Sequence, residues 1–346
     1  MNDPQGAAEP ARYRFRDLHP RVRLGTASDR YAGWLGQIYS PERFAHRVTR
    51  RQKTLGRRRF TEELLPVECV AEYFQHFPVL ELDFTFYRPL LDATGEPTAN
   101  FHTLARYRQH LRPGDRLLLK APQAVTAHTL HRGSAPAANP EYLDPALFTA
   151  RFYKPAVELL GEHLGGILLE QEYHRSGERQ APEEVAAAWE RFFASVPEDP
   201  RYHLELRTPG YLAPPLFAML GRRGVGQVLS HWTWLPSLGE QLHRAGGQFT
   251  NAGQTCVVRL LTPRNVRYAD AYAAAHPFDR LVAGLLDPHM VSETVELLRT
   301  AVGQGVETDV IVNNRAGGNA PEIARQVAEA FLASGANRGG TDAQST

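Results

Sequence analysis

Residues 79–86 read VLELDFTF, residues 116–121 read RLLLKA and residues 166–171 read GILLEQ. Each is a short run of Val, Leu or Ile that ends on charged or polar residues, the pattern of a buried strand. The same kind of run recurs outward from these three, at VRLGTA (22–27), YHLELR (202–207), GQVLSHW (226–232), TCVVRLL (255–261) and TDVIVNN (308–314). The gaps carry helical spacing: FTEELLPVECVAEYFQHF (60–77), with Thr61 and Glu63 resembling a capping box, and FHTLARYRQHL (101–111). PALFTARFYKPAVELLGEHL (145–164), PEEVAAAWERFFASV (182–196), PPLFAMLGRRG (214–224), SLGEQLHRAG (237–246), MVSETVELLRTAVGQG (290–305) and PEIARQVAEAFLAS (321–334) follow. Strands alternating with helices predict a parallel sheet with crossover helices. Eight such units predict a closed α/β barrel, the (β/α)8 or TIM barrel. The open, doubly wound alternative is disfavoured, because no GxGxxG turn follows an early strand.

Composition narrows the class. The 346 residues are 42% hydrophobic and 22% charged, which is globular usage. No apolar run is long enough for a membrane span. The start, MNDPQGAAEPARYRFRD, has no apolar stretch behind a basic segment, so no secretory signal is expected. Cys69 and Cys256 form no CxxC pair, and a reduced, cytoplasmic setting is the expectation. A net charge of +1 excludes a generally basic nucleic-acid binder but not a local patch. Lys53, Lys120 and Lys154 are the only lysines among 39 basic residues. A lysine in so arginine-rich a chain suggests chemistry that guanidinium cannot do. Residues 1–17 and 334–346 read as disordered tails around a single domain at 18–333.

In a barrel of this kind the C-terminal strand ends face the site. Those ends hold Glu81, Asp83, Thr85 and Tyr87, then Lys120, Glu170 and Glu172, Glu205 and Arg207, His231, Arg259, and Asn313, Asn314 and Arg315. Period two puts Glu81, Asp83 and Thr85 on one face and Glu205 and Arg207 on one face. Charge inside apolar strands is costly unless paired or used. The functional reading is a pocket; the structural one is ion pairing inside the barrel, such as Glu81 with Lys120 or Glu205 with Arg259.

VLELDFTFYRP (79–89) followed by LLLKAP (117–122) resembles the YecE-like family, domain of unknown function 72. Its pattern is a Glu-x-Asn-x-Thr-Phe-Tyr strand and a Lys-Ala-Pro strand. GTASDRYAGWLGQIYSP (25–41), LGGILLEQ (164–171), LELR (204–207) and VNNRAGGNAPEIA (312–324) extend the resemblance over residues 22–332. It implies a (β/α)8 barrel and leaves the chemistry open. Glu81, Thr85, Tyr87, Lys120, Glu205, Arg207, Arg259 and Asn314 fit the pattern. Departures are Asp83 for the usual Asn, the displaced Trp34, Arg207-Thr208 for Arg-His, and EQEY (170–173), which adds Glu170 and Glu172.

These residues lead to an expected enzyme, a lyase, isomerase or hydrolase acting on a small anionic or phosphorylated substrate. Glu81, Lys120 and Glu205 are the catalytic candidates, and Tyr87, Arg207, Arg259, Asn313 and Asn314 the substrate-binding ones. Gly317, Gly318 and Asn319 form a Gly-rich turn before a helix, a candidate phosphate site with Asn319 as N-cap. Residues 43–59 are a basic insertion after strand one, read as a solvated loop or helix face. A nucleic-acid-associated protein using Arg50, Arg51, Arg57, Arg58 and Arg59 is the first alternative, and a non-catalytic scaffold the second. A divalent metal has weak support, from Glu81, Glu170, Glu205 and His231. His128 and His131 read as incidental loop residues, and Cys69 and Cys256 as packing residues.

Overall fold

The eight apolar runs become eight parallel strands in a computed structural model, and they close on one another. They are β1 (Val22–Ala27), β2 (Val79–Leu82), β3 (Arg116–Lys120) and β4 (Leu164–Gln171). They continue as β5 (Tyr202–Leu206), β6 (Gly226–His231), β7 (Thr255–Leu260) and β8 (Glu307–Val312). Each pairs with its sequence neighbours, and β1 joins both β2 and β8. The described residues are 13–132 and 135–336.

Closure needs close approach where β1 meets β2. A Cβ at Gly25 would lie 2.1 Å from the Val79 carbonyl oxygen, so only glycine fits there. Inside the barrel, Ala27, Val79, Leu118, Leu168, Val228, Val257 and Ile311 form a dry layer. A second, larger core lies between the strands and the surrounding helices. Their amphipathic spacing buries one face, as in Trp189, Phe192 and Phe193 of the helix Pro182–Ser195.

Five expectations are corrected. Residues 49–64 form an antiparallel hairpin, Thr49–Leu55 with Arg58–Leu64, rather than a loop or helix face. Gly56, at φ +59°, and Arg57 make its two-residue turn. Thr61 is therefore in a strand and caps no helix; the helical segment begins at Val67. Its register sets Arg51 against Glu62 and Arg50 against Glu63, and these cross-strand pairs favour the strand form. Residues 13–17 are packed rather than a tail: Tyr13 and Phe15 are buried and Arg16 meets Asp115 at 2.6 Å. The final helix runs Ala320–Ala336, past the expected domain end at 333. The rest of both expected tails, 1–12 and 337–346, lies outside the described residues. Finally, β2 stops at Leu82 and Phe84–Tyr87 is a helical turn, so Asp83 and Thr85 leave the face of Glu81.

Candidate active site

Above the dry layer the inward positions change from apolar to charged. Arg259 on β7 donates to both oxygens of Glu81 on β2, at 2.8 and 2.6 Å, and to Glu205 on β5 at 2.6 Å. Ser230 on β6 donates to the other Glu205 oxygen at 2.5 Å. Lys120 at the end of β3 reaches Glu170 on β4 at 2.6 Å. Arg207, just past β5, bridges Glu170 at 2.8 Å and Glu205 at 3.1 Å. Three carboxylates thus face three cations, and all belong to one network. Glu81, Lys120, Glu205, Arg207 and Arg259 are brought together as the strand ends implied. Their partners differ in one respect: Lys120 pairs with Glu170, not with Glu81.

The electrostatics follow from burial and pairing. Burial works to raise the Glu205 carboxyl, but Arg207, Arg259 and Lys120 outweigh it and hold it at about 2. Burial likewise opposes ionisation of Glu170, and Arg207 and Lys120 hold it below the usual carboxylate range. Burial works against the Arg259 charge, and Glu205 and Glu81 reverse that and strengthen its hold on its proton. Aromatic rings cover the cations from outside: Lys120 sits 4.1 Å from the Phe86 ring centre and Arg207 5.0 Å from that of Trp232. Thr85 does not enter the network; its hydroxyl donates to the Lys120 carbonyl at 2.7 Å and fixes the end of β3.

Beside this network, over the ends of β1, β2 and β8, lies a cavity of about 250 Å³. Asp83, Tyr87 and Asn313 line it, together with Tyr31, Tyr268 and Arg315, and the 49–64 hairpin roofs it through Arg51, Lys53 and Glu62. Asp83 accepts from the Ser28 hydroxyl at 3.1 Å. Arg51 and Lys53 both spend their charge on Glu62, at 2.6 and 2.9 Å. Arg315 is different. Among the described residues it has no carboxylate partner, and its buried Nε donates to nothing. Its guanidinium lies 4.3 Å from the Tyr268 ring centre, and the Asn313 side chain accepts its backbone N–H at 3.0 Å. Asp29, at the cavity's inner wall, is pushed up to about 6 by burial, against the opposing hydrogen bond from Tyr107 at 2.7 Å.

Other expected site residues serve the scaffold. Asn314 accepts from the Trp34 indole at 3.2 Å and from the Ala320 N–H at 2.7 Å. Asn319 is the N-cap, accepting from the Glu322 N–H at 2.9 Å, and its amide donates to Gln37 and the Phe278 carbonyl. Gly317 and Gly318 are buried, and a Cβ on Gly318 would lie 2.3 Å from the Arg280 carbonyl oxygen. Residues 280–286 therefore cover the turn, and the asparagine side chains take the N–H groups of Ala320 and Glu322. The expected phosphate site at Gly317, Gly318 and Asn319 is corrected on that ground.

His231 is turned away from the network. Its Nδ1 lies 2.9 Å from the Thr262 carbonyl oxygen and its Nε2 3.3 Å from Asp287. With Glu81, Glu170 and Glu205 each facing cations, no group of three or more His, Cys, Asp or Glu among the described residues is arranged to hold a metal ion. His128 stacks on Tyr142 with ring centres 3.6 Å apart; the side chain of His131 lies outside the described residues. No helix among the described residues is long and apolar enough to cross a membrane.

Ser230, Tyr268 and the unpaired state of Arg315 were not readable as site features. Ser230 carries a signal in retrospect, since it lies two residues beyond inward-facing Val228 on β6. Tyr268 arrives from a loop-borne helix far along the chain, and nothing in the sequence announces it.

The comparisons with known proteins agree with the barrel. The family described as "Protein of unknown function DUF72" matches residues 23–344. A DUF72 family protein from Enterococcus faecalis V583 is similar at 16% identity and a TM-score of 0.52, over 91% of this chain and 99% of its own. Another, from Thermotoga maritima MSB8, is similar at 15% identity and a TM-score of 0.51, over 90% and 99%. At such identities the likeness is one of fold. No curated protein matches.

Proposed function

We propose, for a chain that belongs to the DUF72 family, that this barrel is an enzyme acting on a small anionic substrate at its C-terminal face. The observation that carries the reading is Arg315: a guanidinium at the wall of a cavity at the barrel mouth, with no carboxylate partner among the described residues. An unpaired cation half-removed from water favours an anion strongly, because charge-assisted hydrogen bonds gain strength away from solvent. Arg315 takes the carboxylate or phosphate group in this reading. Asp83 is the proton-transfer group, having one oxygen held by Ser28 and the same cavity in front of it. The Glu81, Glu205 and Arg259 part of the charged network acts as a rigid floor, while Lys120, Glu170 and Arg207 form its accessible edge.

Calorimetric titration with inorganic phosphate and with succinate tests the assignment. The wild-type chain is expected to bind at least one of them, and Arg315→Gln to weaken that binding tenfold or more, which is about 1.4 kcal/mol. Equal binding by both chains removes Arg315 from the site. Asp83→Asn is expected to retain the anion and lose turnover.

A phosphodiester partner at the hairpin is the second reading. Arg50 and Arg51 are engaged by Glu63 and Glu62, but Arg57, Arg58 and Arg59 are exposed at the tip with no carboxylate partner among the described residues. If nucleic acid binds there, replacing all three by alanine lowers both affinity and its salt slope.

A further inference from the structure

Large exposed aromatics are few among the described residues, and Tyr87, Trp234 and Tyr268 are all at the barrel mouth. Tyr87 and Tyr268 belong to the Arg315 cavity. Trp234, 42% exposed, does not. It stacks on Tyr173 with ring centres 6.0 Å apart and planes 27° apart, and Tyr173 meets Trp232 edge-on at 5.9 Å. Trp232 in turn carries Arg207 over its ring. An aromatic band therefore runs from the rim down to the accessible edge of the charged network.

The band is held rigidly. Between the two tryptophans, Thr233 is buried, with its hydroxyl donating to the Val266 carbonyl at 2.6 Å. Beside Tyr173, His174 is buried, with its N–H donating to the Thr208 hydroxyl at 2.9 Å and its Nδ1 2.9 Å from the Tyr211 hydroxyl. Both loops are anchored by buried polar groups, and they leave Trp234 exposed and Tyr173 and Trp232 half-buried, where further burial would be favourable.

We infer that this band is a binding site for a neutral saccharide ring. Stacking calls for a ring with an apolar face. At the lower end of the band, Glu170 and Arg207 present acceptors and donors side by side, which suits hydroxyl groups that both donate and accept. The network's carboxylates and cations balance, so a phosphate-bearing ligand gains no net attraction there. This distinguishes the band from the Arg315 cavity, and the inference does not rest on the proposed anion site.

The chain offers its own reporter. Of its four tryptophans, Trp34 and Trp189 are fully buried, so a ligand-induced change in emission comes from Trp232 and Trp234. The experiment titrates a panel of neutral trisaccharides, built of glucosyl, xylosyl, mannosyl and N-acetylglucosaminyl units, against the full chain. At least one is expected to shift the emission saturably and to protect it from acrylamide quenching, whereas inorganic phosphate leaves it unchanged. Tyr173→Ala keeps both reporters and is expected to weaken the response tenfold or more; Trp234→Ala, followed by calorimetry, gives the same loss. Thermal unfolding at an unchanged temperature shows that each variant is folded. No saturable response across the panel, or an undiminished affinity in Tyr173→Ala, overturns the inference. So does a stronger response to adenosine monophosphate than to any sugar, which assigns the band to a nucleobase instead.

Discussion

At the N-terminal end of the barrel, Arg23 on β1 donates to Asp309 on β8 at 2.5 Å and to Glu307 at 2.6 Å. His203 on β5 lies beside them, its ring fitting only because Gly226 has no Cβ. At the C-terminal end, Arg259 clasps Glu81 and Glu205. Both ends therefore carry buried ion pairs on strands, separated by the dry layer. What differs is the surroundings. Arg259's network is bordered by an aromatic band and by a cavity holding Arg315, which has no carboxylate partner among the described residues; the Arg23 pairs are bordered by the buried His203 ring and by the partly exposed Glu307. Charge within a strand is thus not by itself a sign of function. The sign is what the charge is left facing.

The largest expected contrast between the two ends comes from removing each arginine. Arg259→Met leaves the fully buried Glu81 without its cation and takes one of two arginines from the buried Glu205, and is expected to cost about 3–5 kcal/mol. Arg23→Met strands only Asp309 in a buried place, since Glu307 is partly exposed, and should cost about 1–3 kcal/mol. Denaturant unfolding of both variants measures this. An equal or reversed order would mean that the C-terminal network is not the barrel's electrostatic floor.

A smaller contrast lies in pH. At the C-terminal end Asp29 is raised to about 6 by burial. Its folded carboxyl holds a proton that the unfolded one has lost, so its stabilising contribution is present below pH 4 and lost as pH rises through 6. At the N-terminal end burial lowers His203 to about 4, with only the Asp309 charge opposing. Its contribution is present above pH 6.5 and lost as pH falls through 4. Asp29→Asn is therefore expected to gain stability over the wild type at pH 8, on the order of 2–3 kcal/mol. His203→Gln is expected to flatten the loss between pH 6.5 and 4 by a similar amount. Unfolding free energies at pH 4, 6 and 8 decide. Identical profiles for both variants and the wild type would dissolve the electrostatic distinction.

The barrel was legible because each strand is an apolar run bounded by polar residues, and the run from Val22 to Ala27 is β1 to the residue. The convergence of Glu81, Lys120, Glu205, Arg207 and Arg259 was legible because strand direction fixes which end each one occupies. Where the chain leaves the regular period, the reading failed. VLELDFTF looks like one strand, yet it turns helical at Phe84, where Thr85 finds the Lys120 carbonyl. The 49–64 hairpin was hidden because neither strand alternates between apolar and polar residues; its unlike charges meet only across the strands, Arg50 against Glu63 and Arg51 against Glu62. That Arg315 meets Tyr268 and, among the described residues, no carboxylate was not legible, since it is a property of distant elements, among them the helix bearing Tyr268. Gly317 and Gly318 misled for the same reason: the segment that covers them lies some thirty residues earlier in the chain.

The smallest expected stability effect is at Lys120, and it separates floor from edge within the C-terminal network. Lys120 meets Glu170 at 2.6 Å, but Glu170 also holds Arg207 at 2.8 Å and reaches water at its outer side. Lys120→Met keeps the stem against Phe86 and removes only the charge. Glu170 then retains one cation, so the loss should be about 1–2 kcal/mol, well below that of Arg259→Met. The same variant leaves the network one charge negative at the mouth. Anion binding in the neighbouring cavity should weaken in low salt and recover as salt screens the added field. A loss of about 3–5 kcal/mol instead would place Lys120 in the floor beside Arg259. A small loss with anion binding unchanged at every salt concentration would show that the network and the Arg315 cavity act independently. In that case only the residues of the cavity itself would remain as candidates for the chemistry.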